Sequence, residues 1–290
     1  MKFFEQRKRE PLERHSGHHL PVAENALFWM LLVLLSIGCI TSLYEKSIHK
    51  GDASSVSSQS VFKYVKAAGR NYQIKERRIP IYCVKTDKPQ VALTFDAAWG
   101  NEDTRRLMDI LGAHNIKVTF FMTGGWVEKY PEDVRYIAQQ GHELGNHSEN
   151  HKNMSRLGKA EIKSELQTVH DKVKKLTGKD MTLFRPPYGD YNNNVIEVAD
   201  SMGYYPIQWD IDSLDWKDYG ADSIVNKVLD DPHLSNGSII LMHNGAKYTP
   251  DALEAVITGL QQKGFEIVPV SSLIWKENFH LDQEGRQFTD

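Results

Sequence analysis

Cysteine is nearly absent. Two occur in 290 residues, Cys39 inside a hydrophobic run and Cys83 inside a strand-like one, which excludes an internal disulfide framework. An excess of either charge is missing too. Lys and Arg number 35 against 38 Asp and Glu, a formal net charge of −3, so there is no broad basic face and nucleic acid is excluded as a partner. No short internal repeat is visible along the chain. Long apolar runs are as scarce as cysteine, with one exception near the N-terminus.

That exception, Ala26 to Tyr44 (ALFWMLLVLLSIGCITSLY), is 19 residues without a charge, close to the length a helix needs to cross a hydrocarbon core. Lys2, Arg7, Lys8, Arg9 and Arg14 precede it, and only Lys46 and Lys50 follow shortly after. By the positive-inside rule the N-terminus stays cytoplasmic and the bulk of the chain is exported. A cleaved signal peptide would need an unusually long basic region, and no clean small-residue cleavage site follows. A lipoprotein signal at Leu35 to Cys39 would carry Ser36 where an aliphatic residue is usual. The expectation is a single-pass protein of the cell membrane with its main domain outside the cytoplasm. A cytoplasmic tail spans 1–25, a transmembrane helix 26–44 and a juxtamembrane spacer 45–75, whose Gly51 to Ser60 (GDASSVSSQS) reads as flexible. A folded domain over 76–275 and a polar tail over 276–290 complete the plan. Trp275, Phe279 and Phe288 leave open whether that tail packs or hangs free.

Within the domain, apolar runs and amphipathic segments alternate. Ile79–Val84 and Val91–Phe95 read as a hairpin across Thr86 to Pro89. Helices are expected over Thr104–His114, Val134–Gln140, Lys159–Leu176, Val195–Met202, Ala221–Leu229 and Asp251–Lys263, four of them stopped by Gly141, Gly178, Gly203 and Gly264. Strands are expected over Lys117–Met122, from Leu183, and over Tyr205–Trp209, Ser238–Met242 and Phe265–Val270. This βα grammar implies an α/β fold with a parallel sheet, open or closed into a barrel. In such folds chemistry gathers at the carboxyl ends of the strands.

Five polar constellations sit at such ends. His147 and His151 are four residues apart, and on a helical turn both imidazoles would share a face and reach one metal ion. Around them stand Asp96 after Val91 to Phe95, Arg185 opening Arg-Pro-Pro-Tyr-Gly, Asp215 in Asp-Ser-Leu-Asp-Trp, and His243 after Ile239 to Met242. Bland readings exist for each: Asp96 as a helix cap, Arg185 as a structural ion-pair partner, His243 as a satisfied core histidine. Asp210 and Asp212 compete with Asp215 for any partner role. Together the five indicate a metal hydrolase.

The segment from about residue 89 to 272 resembles the polysaccharide deacetylases of the NodB homology type, carbohydrate esterase family four, through all five of their motifs in order. The nearer likeness is to a membrane-anchored, sporulation-associated group that acts on peptidoglycan. The resemblance implies an irregular (β/α) barrel of about seven strands. It also implies removal of N-acetyl groups from cell-wall sugars with a divalent metal, zinc first and cobalt or manganese as substitutes. Carried onto this chain, His147 and His151 become metal ligands, Asp96 the general base, and Arg185 the residue that orients it. His243 becomes the general acid and Asp215 its partner, while Tyr188 lends a backbone donor to the oxyanion. Trp216 and Leu241 line the pocket for the acetyl methyl.

One departure stands out. The family's Thr-Phe-Asp-Asp-Gly is here Thr94-Phe95-Asp96-Ala97-Ala98, so the carboxylate expected as third ligand is a methyl group. Asp96 moving onto the metal, Glu102 or Asp103 swinging in, two imidazoles holding a metal weakly, and a degenerate relative that binds glycan without cutting it are the four outcomes. The resulting expectation is a deacetylase of peptidoglycan GlcNAc or MurNAc. The alternatives are a non-catalytic glycan-binding or wall-assembly factor and a deacetylase of chitin-like or exported polysaccharide.

Overall fold

The computed structural model describes residues 77–290. The tail, anchor and spacer expected over 1–75 lie outside the described residues. Among those described, no helix is long and apolar enough to cross a membrane.

In chain order the first half forms β1 (Cys83–Val84), β2 (Gln90–Ala97), α1 (Thr104–Ala113), β3 (Thr119–Met122), α2 (Gly124–Lys129), α3 (Pro131–Gln139), β4 (Glu143–Asn146) and α4 (Lys159–Thr177). Then come β5 (Leu183–Phe184), α5 (Asn193–Ser201), β6 (Tyr205–Pro206), β7 (Ile211–Asp212), α6 (Ala221–Leu229), β8 (Ile239–Asn244) and α7 (Thr249–Gln262). β9 (Glu266–Ile267), α8 (Val270–Leu273), β10 (Phe279–Leu281) and β11 (Arg286–Thr289) close the chain.

β2 is the centre. Every residue after Gln90 in it is buried, as a nearly unbroken apolar run requires of a parallel strand covered on both faces. The sheet order is β6-β5-β4-β3-β2-β8-β7, all parallel, with β9 paired to the first two residues of β2. β6 and β7 stand at opposite edges of that order, yet the chain between them is only Ile207 to Asp210. The stretch from Tyr205 to Asp212 therefore supplies both edges, and the seven parallel strands curl. The expected α/β architecture with about seven strands is borne out in this form.

Two-residue periodicity sorts the side chains. Leu93, Phe95, Phe120, Met122, Ile240 and Met242 meet the helices in one apolar cluster with Leu107, Ile137, Leu166 and Val256. The alternate residues Ala92, Phe121, Leu183 and Ile239 pack on the other side with Ile81, Ile207, Val270 and Leu273. The same alternation carries Thr94 and Asp96 of β2, and Leu241 and His243 of β8, to that inner side at the strands' carboxyl ends. Helix patterning follows the same logic: Ile162, Leu166, Val169 and Val173 recur at helical spacing in α4 and all are buried. In β4, Gly145 admits the ring of Phe121, which a Cβ there would approach to 2.4 Å. Gly145→Ala is expected to cost about 1–3 kcal/mol through overpacking. A lower denaturation midpoint with an unchanged slope would register it.

Several expectations are corrected. β1 forms no hairpin with β2, because β3 and β8 already occupy both edges of β2. It pairs instead in parallel with β11. The segment expected as a polar tail supplies that partner: β10 and β11 are antiparallel neighbours and with β1 make a three-stranded sheet. Gln287 is buried there, accepting from the Trp275 amide at 2.8 Å and donating to its carbonyl at 2.7 Å. The last expected strand, Phe265 to Val270, is β9 alone, and after Pro269 the chain turns into α8. α2 was not foreseen; Thr123 caps it by accepting from the Trp126 amide at 3.2 Å.

Candidate active site

His147 directly follows β4, and its amide donates to the Met122 carbonyl at 3.0 Å. His147 and His151 are not on a helix, as their spacing had implied. Ser148 and His151 take left-handed backbone angles, φ 65° and 52°. Asn146 Oδ1 accepts from the Ser148 amide, and Ser148 Oγ accepts from the His151 amide. A tight loop thus does what a helical turn was expected to do, bringing the ring centroids to 4.9 Å. His147 Nδ1 lies 2.7 Å from the Arg185 carbonyl. A carbonyl only accepts, so Nδ1 carries the proton and Nε2 is left with its lone pair. Burial lowers the pKa of His147, and burial with the neighbouring His147 lowers that of His151 to about 4. Both imidazoles are neutral at pH 7, the form that binds metals.

Arg185 extends inward from the end of β5 and is fully buried. It donates to Asp96 Oδ1 at 2.8 Å, Thr94 Oγ1 at 2.9 Å and the Gln208 carbonyl at 3.1 Å. Its guanidinium also lies 4.1 Å from the Phe121 ring centroid. Burial would raise the Asp96 pKa, but Arg185, with His147 and His243 behind it, holds the carboxyl below its ordinary value. The other oxygen, Oδ2, is 3.4 Å from His147 Nε2.

On β8, His243 Nδ1 is 2.7 Å from Asp215 Oδ1. Asp215 Oδ2 accepts from the His243 amide and from Thr249 Oγ1, each at 2.7 Å. The competition among the three aspartates is resolved by these contacts. Asp210 is engaged with Ser238 and the Ile239 amide, and Asp212 with the Leu214 amide. Burial alone would lower the His243 pKa, but the hydrogen bond and charge of Asp215, with Asp96 and Asp212 adding theirs, raise it.

These groups line one cavity of about 400 Å³, together with Trp99, Tyr188, Trp209, Trp216 and Leu241. Every residue assigned from the sequence meets there except Arg185 and Asp215, which stand one layer behind Asp96 and His243. Tyr188 has φ 60° and lays its ring edge against His151 at 4.4 Å. A larger cleft of about 490 Å³, running from Arg78 to Leu281, contains none of these groups.

Sequence reasoning missed Trp99. Its indole stacks on His243 at 5.4 Å and 26° and stands edge-on to His151 at 6.5 Å. The available signal was a large apolar residue three positions beyond Asp96, just past the strand end. Gly245, at φ 93°, lets this loop approach, since a Cβ there would come within 2.3 Å of the Trp99 carbonyl.

The donor set does not fit a three-ligand metal centre of the kind that holds catalytic zinc. Ala97 is buried in the apolar cluster facing the helices and offers no donor. Asp103 accepts from the Gly245 amide and Asn244 Nδ2, and Glu102 accepts from the Asn101 amide, so neither swings into the site. Among the described residues no group of three His, Cys, Asp or Glu side chains is arranged to hold a metal.

Residues 84–207 match the family described as polysaccharide deacetylase. The peptidoglycan-N-acetylglucosamine deacetylase of Bacillus cereus is 35% identical over 191 residues, 64% of this chain and 69% of that protein. The chain belongs to the polysaccharide deacetylase family. The uncharacterized protein YlxY of Bacillus subtilis is 36% identical over 67% of this chain, and the match spans only 60% of YlxY. Among solved structures, the wild-type BA3943 protein of Bacillus anthracis, a pseudoenzyme of carbohydrate esterase family four, is 34% identical with a TM-score of 0.65. That likeness covers 68% of this chain and 69% of BA3943. A BA3943 mutant with restored enzymatic activity is also known structurally.

Proposed function

We propose that this chain removes acetyl groups from N-acetylated sugars of peptidoglycan, GlcNAc or MurNAc, outside the cytoplasmic membrane. One observation carries the reading: a carboxylate whose pKa is lowered and an imidazole whose pKa is raised stand side by side on neighbouring strands, β2 and β8, and line one cavity. A base and an acid with pKa values pushed apart in one cavity are what amide hydrolysis needs.

In this reading Asp96 accepts the proton of the attacking water. Arg185 touches no substrate and positions Asp96. His243 delivers a proton to the departing amine, and Asp215 keeps it charged and oriented. The backbone at Tyr188 donates to the oxyanion, while Leu241 and Trp216 enclose the acetyl methyl. His147 and His151 would be the pair to hold a divalent ion, and only weakly, since two imidazoles without a third ligand make a poor site. Acetate release from N-acetylated peptidoglycan is therefore expected to rise with added zinc, cobalt or manganese and to vanish in His147→Ala.

The rate should also fall as pH rises through the His243 pKa, since only the protonated form is the acid. That pKa lies above the ordinary imidazole value of 6.5. Asp215→Asn should move this alkaline limb to lower pH, whereas an unmoved limb would remove His243 from the acid role.

A second reading is favoured by Ala97 and by the likeness to BA3943: a wall-binding protein without catalysis. Binding of acetylated glycan with no acetate released at any metal concentration would establish it. A substrate panel including chitin oligomers and exported polysaccharide decides which polymer is used. The proposed anchor over 26–44 has its own check, because protease added to intact protoplasts should digest the domain.

A further inference from the structure

Large apolar side chains are exposed at five described positions: Trp99, Tyr188, Trp216, Tyr219 and Trp275. Three of the five, Trp99, Tyr188 and Trp216, line the one cavity that holds the acid–base groups. Exposed aromatic surface concentrated at one mouth marks a ligand contact rather than scatter. Tyr188 and Trp216 lie in motifs already assigned to the site; Trp99 does not.

Trp99 is held in place from behind. Gly245 receives its backbone, and Trp126 Nε1 donates to the next carbonyl, that of Gly100, at 2.6 Å. Asn101 Nδ2 in turn donates to Asp133 at 2.7 Å. The indole is nevertheless 43% exposed. It leans on His243 and reaches toward His151, so it roofs the end of the cavity where the amine would leave.

That position fixes what it meets. A general acid must lie about 3 Å from the nitrogen it protonates. In an N-acetyl hexosamine that nitrogen is bonded directly to the sugar ring. With His243 at the nitrogen and Trp99 stacked on His243, the pyranose ring falls beside the indole. One face of a β-linked pyranose is a patch of C–H groups, which suits the electron-rich face of tryptophan.

We propose that Trp99 is a specificity-determining residue that stacks on the pyranose bearing the scissile acetamide and selects such sugars over acyclic N-acetyl amides. This rests on the deacetylase reading of the same cavity. The test therefore measures binding and needs no turnover. Calorimetric titration of the full-length chain with the N-acetylglucosamine tetramer is the primary readout, with N-acetyl-lysine as the acyclic comparison.

Trp99→Leu keeps apolar bulk and removes the ring; Trp99→Phe keeps a ring. The Leu variant is expected to bind the tetramer roughly tenfold more weakly, with Phe within about threefold of the wild type, as aromatic stacking energies imply. N-acetyl-lysine should be affected in neither. Trp275→Ala, exposed but outside the cavity, should match the wild type. Equal binding by wild type, Leu and Phe variants would overturn the role of Trp99 and leave the deacetylase reading standing. An equal loss for N-acetyl-lysine would overturn the selectivity. No tetramer binding by the wild type, together with no acetate release, would overturn both.

Discussion

Arg185→Met should lower the melting temperature by about 10 °C. Asp96 is buried, and its charge is balanced chiefly by Arg185, 2.8 Å away. Removing one partner of a buried pair typically costs about 3–5 kcal/mol, because the other is left uncompensated. For a domain of this size each kcal/mol moves the midpoint by about 2–4 °C. The Gln208 carbonyl and Thr94 Oγ1 also lose a donor. Lysine should rescue little, since an ammonium cannot reproduce the planar fork that meets three acceptors and lies over Phe121. The double variant with Asp96→Asn should regain a good part of the loss, because the amide leaves no stranded charge. Thermal unfolding of all four proteins checks this, and a single variant as stable as the wild type would deny Arg185 its structural share.

Asp96→Asn should lower acetate release about 10³-fold, within the range that general bases supply. The amide keeps size and shape but has no basic oxygen, so glycan binding should change by no more than a few fold. That split separates a base from a mere binding contact. If binding and release fell together, Asp96 would be a substrate ligand and the base would lie elsewhere. If release persisted, the pairing of Asp96 and His243 as base and acid would not be the catalytic feature.

Two strand ends were legible in the sequence because the apolar runs of β2 and β8 give way to a polar residue, Asp96 and His243. Most helices were legible from apolar spacing and a terminal glycine. What escaped shares a physical cause: it depends on contacts distant in the chain or on backbone angles that leave no mark in composition. Ser148 and His151 are not glycine, so nothing announced the left-handed turn that joins the two imidazoles. β1 and β11 are two and four residues long and some two hundred positions apart, too short for periodicity and too far for a turn signal. Among the site residues, the family resemblance pointed to Asp215 but its residue type alone did not set it apart from Asp210 and Asp212; the donors each has taken do. Ala97 was readable as a loss, but that Glu102 and Asp103 do not replace it required their hydrogen bonds.

The pairing of β1 with β11 has a mechanical consequence. The two strands run parallel, so tension between the chain's entry at Arg77 and its last residue pulls them lengthwise past one another. Their hydrogen bonds, Tyr82 to Gly285 and Lys85 to Gln287 among them, would share that load and yield together instead of peeling one at a time. A pull at Arg77 would also reach the edge of the curled sheet, because the Ile81 amide donates to the Pro206 carbonyl and the Ile81 carbonyl accepts from the Gln208 amide.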